Sequence, residues 1–277
     1  MSSSPDSTDA QNEHYVQIEY WQPRGVQKCI AFSGRSFVGL MEEGLTVLKY
    51  PHFKSRDAMQ DLHEEAARYH RLGRHENLVV LKAITEDGLL FEFCERGPLL
   101  DVIPTLSDVQ KTTIAKQIIL CLIHLHERNF IHCDLNVNNI FITAETHARV
   151  GDIQGQLYRS DGSIEIATMS QENAKSRHPF AGEDEFSVRT DIFALGTLLY
   201  HVWYGQPPFP DLDEHMHEQI IQEKYRAGDY PIDVANAIGM EKIIGKCWNS
   251  RYENANHVLD DMVELYPAGI KSSLMEA

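Results

Sequence analysis

The sequence predicts an α+β fold in which a strand-rich first part with one helix is followed by a larger helical part. Three observations carry that expectation. Short runs rich in apolar and β-branched residues, each bounded by turn residues, crowd the chain up to Cys94. Glu95-Arg96-Gly97-Pro98 then punctuates it like a hinge. Beyond that point apolar residues recur at helical spacing over long stretches.

In order, residues 1–14 are rich in Ser, Asp and Asn and are expected to be a disordered tail. Tyr15–Tyr20, Cys29–Phe32 and Leu45–Tyr50 read as strands, the last after a turn at Glu42-Glu43-Gly44. Residues 55–72 read as a helix, because Leu62, Ala66, Tyr69 and Leu72 fall on one face and Gly73 suits its C-cap. Leu78–Thr85 and Leu89–Cys94 follow as strands around Glu86-Asp87-Gly88. Past the hinge, residues 107–127 form an amphipathic helix capped by Ser107, and Ile140–Ile142 is a short strand. Asp191–Tyr204 is apolar enough to be a buried helix, and residues 212–227, 234–248 and 254–265 supply three more. The polar stretch 155–190 has no clear period, and a loop of that length inside a domain is usually functional. The resulting division is 15–94, 95–268, and a short tail at 269–277.

Composition narrows the function. The 277 residues are 43% hydrophobic, ordinary for a globular protein. A formal net charge of −16 argues against a nucleic-acid surface and against adhesion to anionic lipid. The five cysteines are scattered without a C-x-x-C pair, which suits free thiols in a reducing compartment. With no signal-peptide pattern and no apolar run of spanning length, the expectation is an intracellular protein, cytoplasmic or nuclear. His63-Glu64-Glu65-Ala66-Ala67 lacks the second histidine of a zinc helix, so the sequence offers no metalloprotease site.

The chemistry concentrates in one constellation. Asp134 lies five residues before Asn139, and Asp152 lies thirteen residues beyond that Asn. Three polar groups at this spacing suit the alignment of a hydroxyl and the holding of Mg²⁺ against a triphosphate. Gly34-Arg35-Ser36-Phe37-Val38-Gly39 approximates G-x-G-x-x-G, whose small residues let backbone N–H groups approach phosphates at Gly34, Ser36 and Gly39. Lys49 ends an apolar strand, and Glu65, better placed than Glu64 when counted back from Leu72, is its candidate helix partner. Asp191-Ile192-Phe193-Ala194-Leu195-Gly196 fits D-x-W-x-x-G, whose Asp ties down the backbone before Asp134.

On these motifs the chain resembles a eukaryotic protein kinase domain over about residues 15–268. It is most similar to divergent small fungal kinases that carry HCD for HRD and D-F-A-G-S for D-F-G. The counterparts here are His132-Cys133-Asp134 and Asp152-Ile153-Gln154-Gly155-Gln156, with a late Lys246-Cys247-Trp248 stretch. The resemblance implies two lobes with ATP between them and a phosphoryl transfer to a protein Ser/Thr hydroxyl. It implies Asp134, Lys49 and Glu65 as catalytic, Asn139 and Asp152 as Mg²⁺ ligands, and Val47 over the adenine. It also implies hinge contacts from Glu92 and Cys94 behind a gatekeeper, Phe91.

Several departures bear on activity and regulation. Cys133 replaces the Arg that receives an activation-loop phosphate, so Thr168 and Ser170 are not expected to be switch sites. Asn136 stands where a Lys usually faces the γ-phosphate, and Asn138 is not an Arg either. Gln154 replaces the D-F-G glycine, and Phe180 stands at the Glu of A-P-E in Arg177-His178-Pro179-Phe180. A nucleotide-binding pseudokinase that serves as a scaffold is therefore the second reading of the sequence.

Overall fold

The computed structural model describes residues 21–182 and 184–267. The expected strand at Tyr15–Tyr20 and both expected tails lie outside the described residues. Five strands form one antiparallel sheet in the order β1-β2-β3-β5-β4. They are β1 (Val26–Phe32), β2 (Ser36–Met41), β3 (Thr46–Pro51), β4 (Leu81–Ile84) and β5 (Leu89–Glu92). The second half of the glycine pattern is thus strand rather than loop. Phe37 pairs with Tyr50 and Gly39 with Leu48. Gly39 is small for a packing reason, since a Cβ there would collide with the side chain of Val26 on β1.

One helix, α1 (Arg56–Leu72), packs with this sheet. Ser55 caps its start by accepting the Ala58 N–H at 3.2 Å, and Gly73 ends it at φ 68°. Leu62, Ala66, Tyr69 and Leu72 are buried, as their spacing anticipated.

Past the hinge the chain forms a two-residue strand β6 (Gly97–Pro98), a single helical turn α2 (Leu99–Val102) and the long α3 (Asp108–His126). Ser107 and Gln110 close a capping box at the start of α3. Two small antiparallel sheets follow. One joins β6 to β8 (Ile140–Ile142) and β9 (Ala148–Val150). The other joins β7 (Phe130–Ile131) to β10 (Gln156–Tyr158) and β11 (Ile164–Ile166). The polar stretch after residue 155 is therefore not irregular throughout. Its first part is a hairpin stitched to the strand that precedes Asp134.

Four more helices complete the fold: α4 (Val188–Tyr204), α5 (Glu218–Arg226), α6 (Gly239–Trp248) and α7 (Ala255–Leu265). The starts of α5 and α6 fall later than the sequence suggests. Asp213 accepts the N–H groups of His215 and Met216, and Asp233 those of Ala235 and Asn236. Such side-chain turns compete with helix and delay it. Helix α4 is the spine of this part, with Ile192, Phe193, Ala194 and Leu195 essentially inaccessible to solvent.

Gly196 on α4 lets that helix meet α6 closely, since a Cβ would sit 2.7 Å from Cys247 Cβ and 3.1 Å from Trp248 Cδ1. Helix propensity alone favours alanine over glycine by about 1 kcal/mol. The packing clash reverses that sign, so Gly196→Ala is expected to cost about 1–3 kcal/mol in urea denaturation.

Candidate active site

The sheet and the first residues after the hinge enclose a cleft of about 690 Å³. From the sheet come Ser36, Val47, Lys49 and Phe91, from α1 Glu65, and from the hinge Glu92 and Cys94. Asn139 and Asp152 reach it from the other side, together with the ring of Phe141. Nine of the residues singled out by sequence thus share one cavity. Gly34 and Gly39 do not line it; Gly34 is at the hairpin tip with open space around it, and Gly39 is turned toward Val26. The small residues that do line it on this hairpin are Ala31, Ser33 and Ser36, followed by Val38. Ser33 and Ser36 close the turn, with the Ser33 N–H donating to the Ser36 carbonyl at 2.8 Å and their hydroxyls 3.1 Å apart.

Lys49 is the electrostatic centre. Its Nζ lies 2.7 Å from Glu65 Oε2 and 2.6 Å from Asp152 Oδ1, and its side chain is only 10% exposed. Burial works against the ammonium, but Asp152 and Glu65 more than offset it and hold the Lys49 pKa above its ordinary value. Burial likewise works against the Asp152 carboxylate, and the Lys49 charge still keeps its pKa below the usual range. Asp152 adopts φ 53°, which aims its carboxylate into the cleft.

Asp134 does not line the cleft wall itself but is hydrogen-bonded to Asn139, which does. Both its oxygens are held: Asn136 Nδ2 donates to Oδ1 at 2.8 Å, and Asn139 Nδ2 donates to Oδ2 at 3.0 Å. Burial pushes the Asp134 carboxyl up to about 6, against the opposing pull of His132 and of these amides. Because Asn139 spends its amide N–H groups on Asp134, its side-chain carbonyl oxygen is left as the acceptor beside the cleft.

At the hinge, the Glu92 carboxylate accepts the Val80 N–H at 2.9 Å and Arg149 Nε at 3.2 Å, which fixes β5 against β9. The Cys94 carbonyl accepts the Gly97 N–H at 3.0 Å. Phe91 is buried, its ring 5.3 Å from that of Tyr69, and it closes the back of the cleft.

The loop carrying Asp134 is fixed from below by Asp191 on α4. This fully buried carboxylate accepts the N–H groups of His132 at 2.8 Å and Cys133 at 3.1 Å, and His126 Nε2 at 2.9 Å. Cys133 sits at φ 63° with no exposure, and His132 Nε2 donates to the Gly151 carbonyl at 3.1 Å. One loop therefore positions both Asp134 and the backbone before Asp152.

A family model described as protein tyrosine and serine/threonine kinase matches residues 41–259. The chain belongs to the protein kinase family. Among its relatives, a probable serine/threonine-protein kinase PLK of Dictyostelium discoideum is 26% identical over 57% of this chain and 17% of its own length. A probable serine/threonine-protein kinase of Zea mays is 28% identical over 61% of this chain and 28% of its own. A putative tyrosine-protein kinase of Caenorhabditis elegans is 26% identical over 75% of this chain and 26% of its own. The chain spans well under two thirds of each of these relatives.

Two departures noted in the sequence acquire a physical account in this kinase-family chain. Gly155, one residue after the expected glycine position, is where close approach is needed; a Cβ there would run into the Ile131 and His132 carbonyls. The stretch near Phe180 is held without a Glu at that position. Phe180 itself is 65% exposed, while His178 accepts from Arg189 Nε at 3.1 Å and lies 3.0 Å from Ser250 Oγ. Gln222 Nε2 and Tyr225 OH add bonds to the Ala174 and Lys175 carbonyls at 2.8 and 2.9 Å.

In the same stretch Glu172 is buried, and its Oε1 has no partner among the described residues. Burial, then the nearby Asp191 charge, pushes its carboxyl up to about 8. An unfolded chain releases this proton near the ordinary value of 4.5, whereas the folded chain keeps it to about 8. Between those values the folded state binds more protons, so its stability falls as pH rises. Glu172→Gln is expected to flatten this slope, raising the thermal midpoint relative to wild type at pH 8 with little change at pH 5.

Proposed function

We propose that the chain is an active protein kinase that transfers the γ-phosphoryl group of Mg-ATP to a Ser/Thr hydroxyl of a protein. The observation that carries this reading is the buried Lys49, paired at once with Glu65 at 2.7 Å and Asp152 at 2.6 Å. Such a charge network is costly to bury without a use for it. The donor set suits the nucleotide. Val38, Val47 and Phe141 provide apolar walls for an adenine, and the backbone of Glu92 and Cys94 provides polar groups at its edge. The Asn139 carbonyl oxygen and Asp152 offer hard oxygen ligands, the kind Mg²⁺ prefers, with phosphate oxygens and water completing its shell. When bound, Mg²⁺ would draw negative charge from the phosphates.

The chain's own residues then have distinct tasks. Lys49, held by Glu65, positions the α- and β-phosphates, and Asp134 orients the substrate hydroxyl and accepts its proton. A pKa near 6 leaves Asp134 mostly ionised at neutral pH yet basic enough to take that proton. Asn136 keeps Asp134 aligned but supplies no cation. Serine/threonine specificity follows the names of two of the relatives above, and the HCD and shifted-glycine motifs favour kinship with the divergent fungal kinases.

The second reading, a nucleotide-binding pseudokinase scaffold, is favoured by Asn136 and Phe180, where the cation and the A-P-E carboxylate are missing. Transfer of ³²P from Mg-ATP to basic protein substrates decides between them. Wild type is expected to label substrate and Asp134→Ala to lose that label; equal label in both would sink the catalytic reading. Nucleotide at 100 times its Kd should stabilise either protein by about 2.7 kcal/mol. Restoring the cation with Asn136→Lys is expected to raise kcat about tenfold or more with little change in KM for ATP. A kcat at or below wild type would count against a missing cation as the limit on rate.

A further inference from the structure

One face of α1 is turned toward the segment that follows Asp152. Glu65, Arg68 and Arg71 fall at three-residue intervals along the helix, so they lie together. Each has a partner in that segment. Gln154 Nε2 donates to Glu65 Oε2 at 3.1 Å, the same oxygen that holds Lys49. Arg68 is completely buried; its Nε donates to the Gly155 carbonyl at 2.8 Å and its Nη2 to the Ala167 carbonyl. Arg71 pairs with Glu165 at 2.9 Å on the exposed rim.

These links reach both legs of the segment. Arg68 bridges Gly155 and Ala167, which lie on either side of the β10–β11 hairpin. Gln154 does the same from its other end, since its carbonyl accepts the Met169 N–H at 2.9 Å and the Thr168 hydroxyl at 3.3 Å. The single Thr168 proton is shared with the Ser170 carbonyl, the closer acceptor at 2.7 Å, so this hydroxyl is already engaged. Beside Thr168 lies Cys133, a buried side chain that offers no cation to receive a phosphate.

We infer that Gln154 is a positioning residue for the Lys49–Glu65 pair. Together with Arg68 it latches α1 to the segment after Asp152, so that the pair is aligned without phosphorylation. The position matters because a glycine or alanine at 154 has no side chain to reach Glu65. The inference rests on the kinase reading above for its kinetic arm, but its structural arm does not.

Two variants test it. Gln154→Glu keeps the size and replaces the donated hydrogen bond with carboxylate repulsion against Glu65, and Gln154→Ala removes the contact. The chain is produced in bacteria and treated with phosphatase. The wild type should keep its activity after treatment, and loss of activity would overturn the phosphorylation-independent latch. Gln154→Glu is expected to raise KM for ATP and lower kcat/KM about tenfold, with Gln154→Ala about threefold in the same direction. Amide exchange without nucleotide should quicken along α1 in both variants and stay at wild-type rates in α4 and α6. Wild-type exchange in α1, or quickening spread over the whole chain, would overturn the proposal. So would faster exchange in α1 with kcat/KM unchanged. Should wild type transfer no phosphoryl group, the kinase reading fails, and the exchange experiment still decides whether Gln154 fastens α1.

Discussion

A buried ammonium governs this molecule. Lys49 lies within β3, the central strand of the sheet, is nearly closed off from water, and is held by two carboxylates. Those carboxylates come from parts of the chain that have no local reason to meet, one on α1 and one just after β9. Removing the ammonium would leave the buried Glu65 carboxylate without its counter-charge, a loss that in proteins generally costs about 3–5 kcal/mol. The position of α1 against the sheet and the left-handed turn at Asp152 are therefore both conditions for keeping Lys49 charged. The same geometry leaves a cation at the deep end of the cleft and oxygen ligands at its mouth.

The other half of the site depends on Asp191 in a comparable way. A single buried carboxylate on α4 accepts two backbone N–H groups and a histidine, and so fixes the loop that carries Asp134. Gly155 lets the next segment lie directly on that loop's carbonyls. The two anchors meet at residues 151–155, where His132 reaches Gly151 and Gln154 reaches Glu65. Lys49, Asp134 and the metal-ligand candidates are thus held by one connected set of polar contacts rather than by separate loops.

Much of this was legible in the sequence because it rests on spacing. Asp134, Asn139 and Asp152 are set by a loop and a short hairpin of fixed length, and the apolar run of α4 announces a buried helix. The hairpin register was not legible. Gly34 and Gly39 satisfy the written pattern, yet it is Ala31 and Ser33 that line the cleft beside the anticipated Ser36, because small side chains other than glycine leave little mark. Arg68 reads as an ordinary surface residue on a polar helix. Its partners are backbone carbonyls 87 and 99 residues away, and carbonyls carry no sequence signature. Strands β10 and β11 were hidden by being three residues long in polar surroundings.

The cysteines have a practical consequence. Four of the five are buried, and burial raises the pKa of each of their thiols, which leaves them poor nucleophiles at neutral pH. Cys29 alone is exposed, on β1 opposite Gly39 in the hairpin whose turn borders the cleft. The native chain thus offers one accessible attachment point for a thiol-reactive dye, between two residues, Lys28 and Ile30, that line the cleft. Motion of that hairpin is open to fluorescence without changing a single residue.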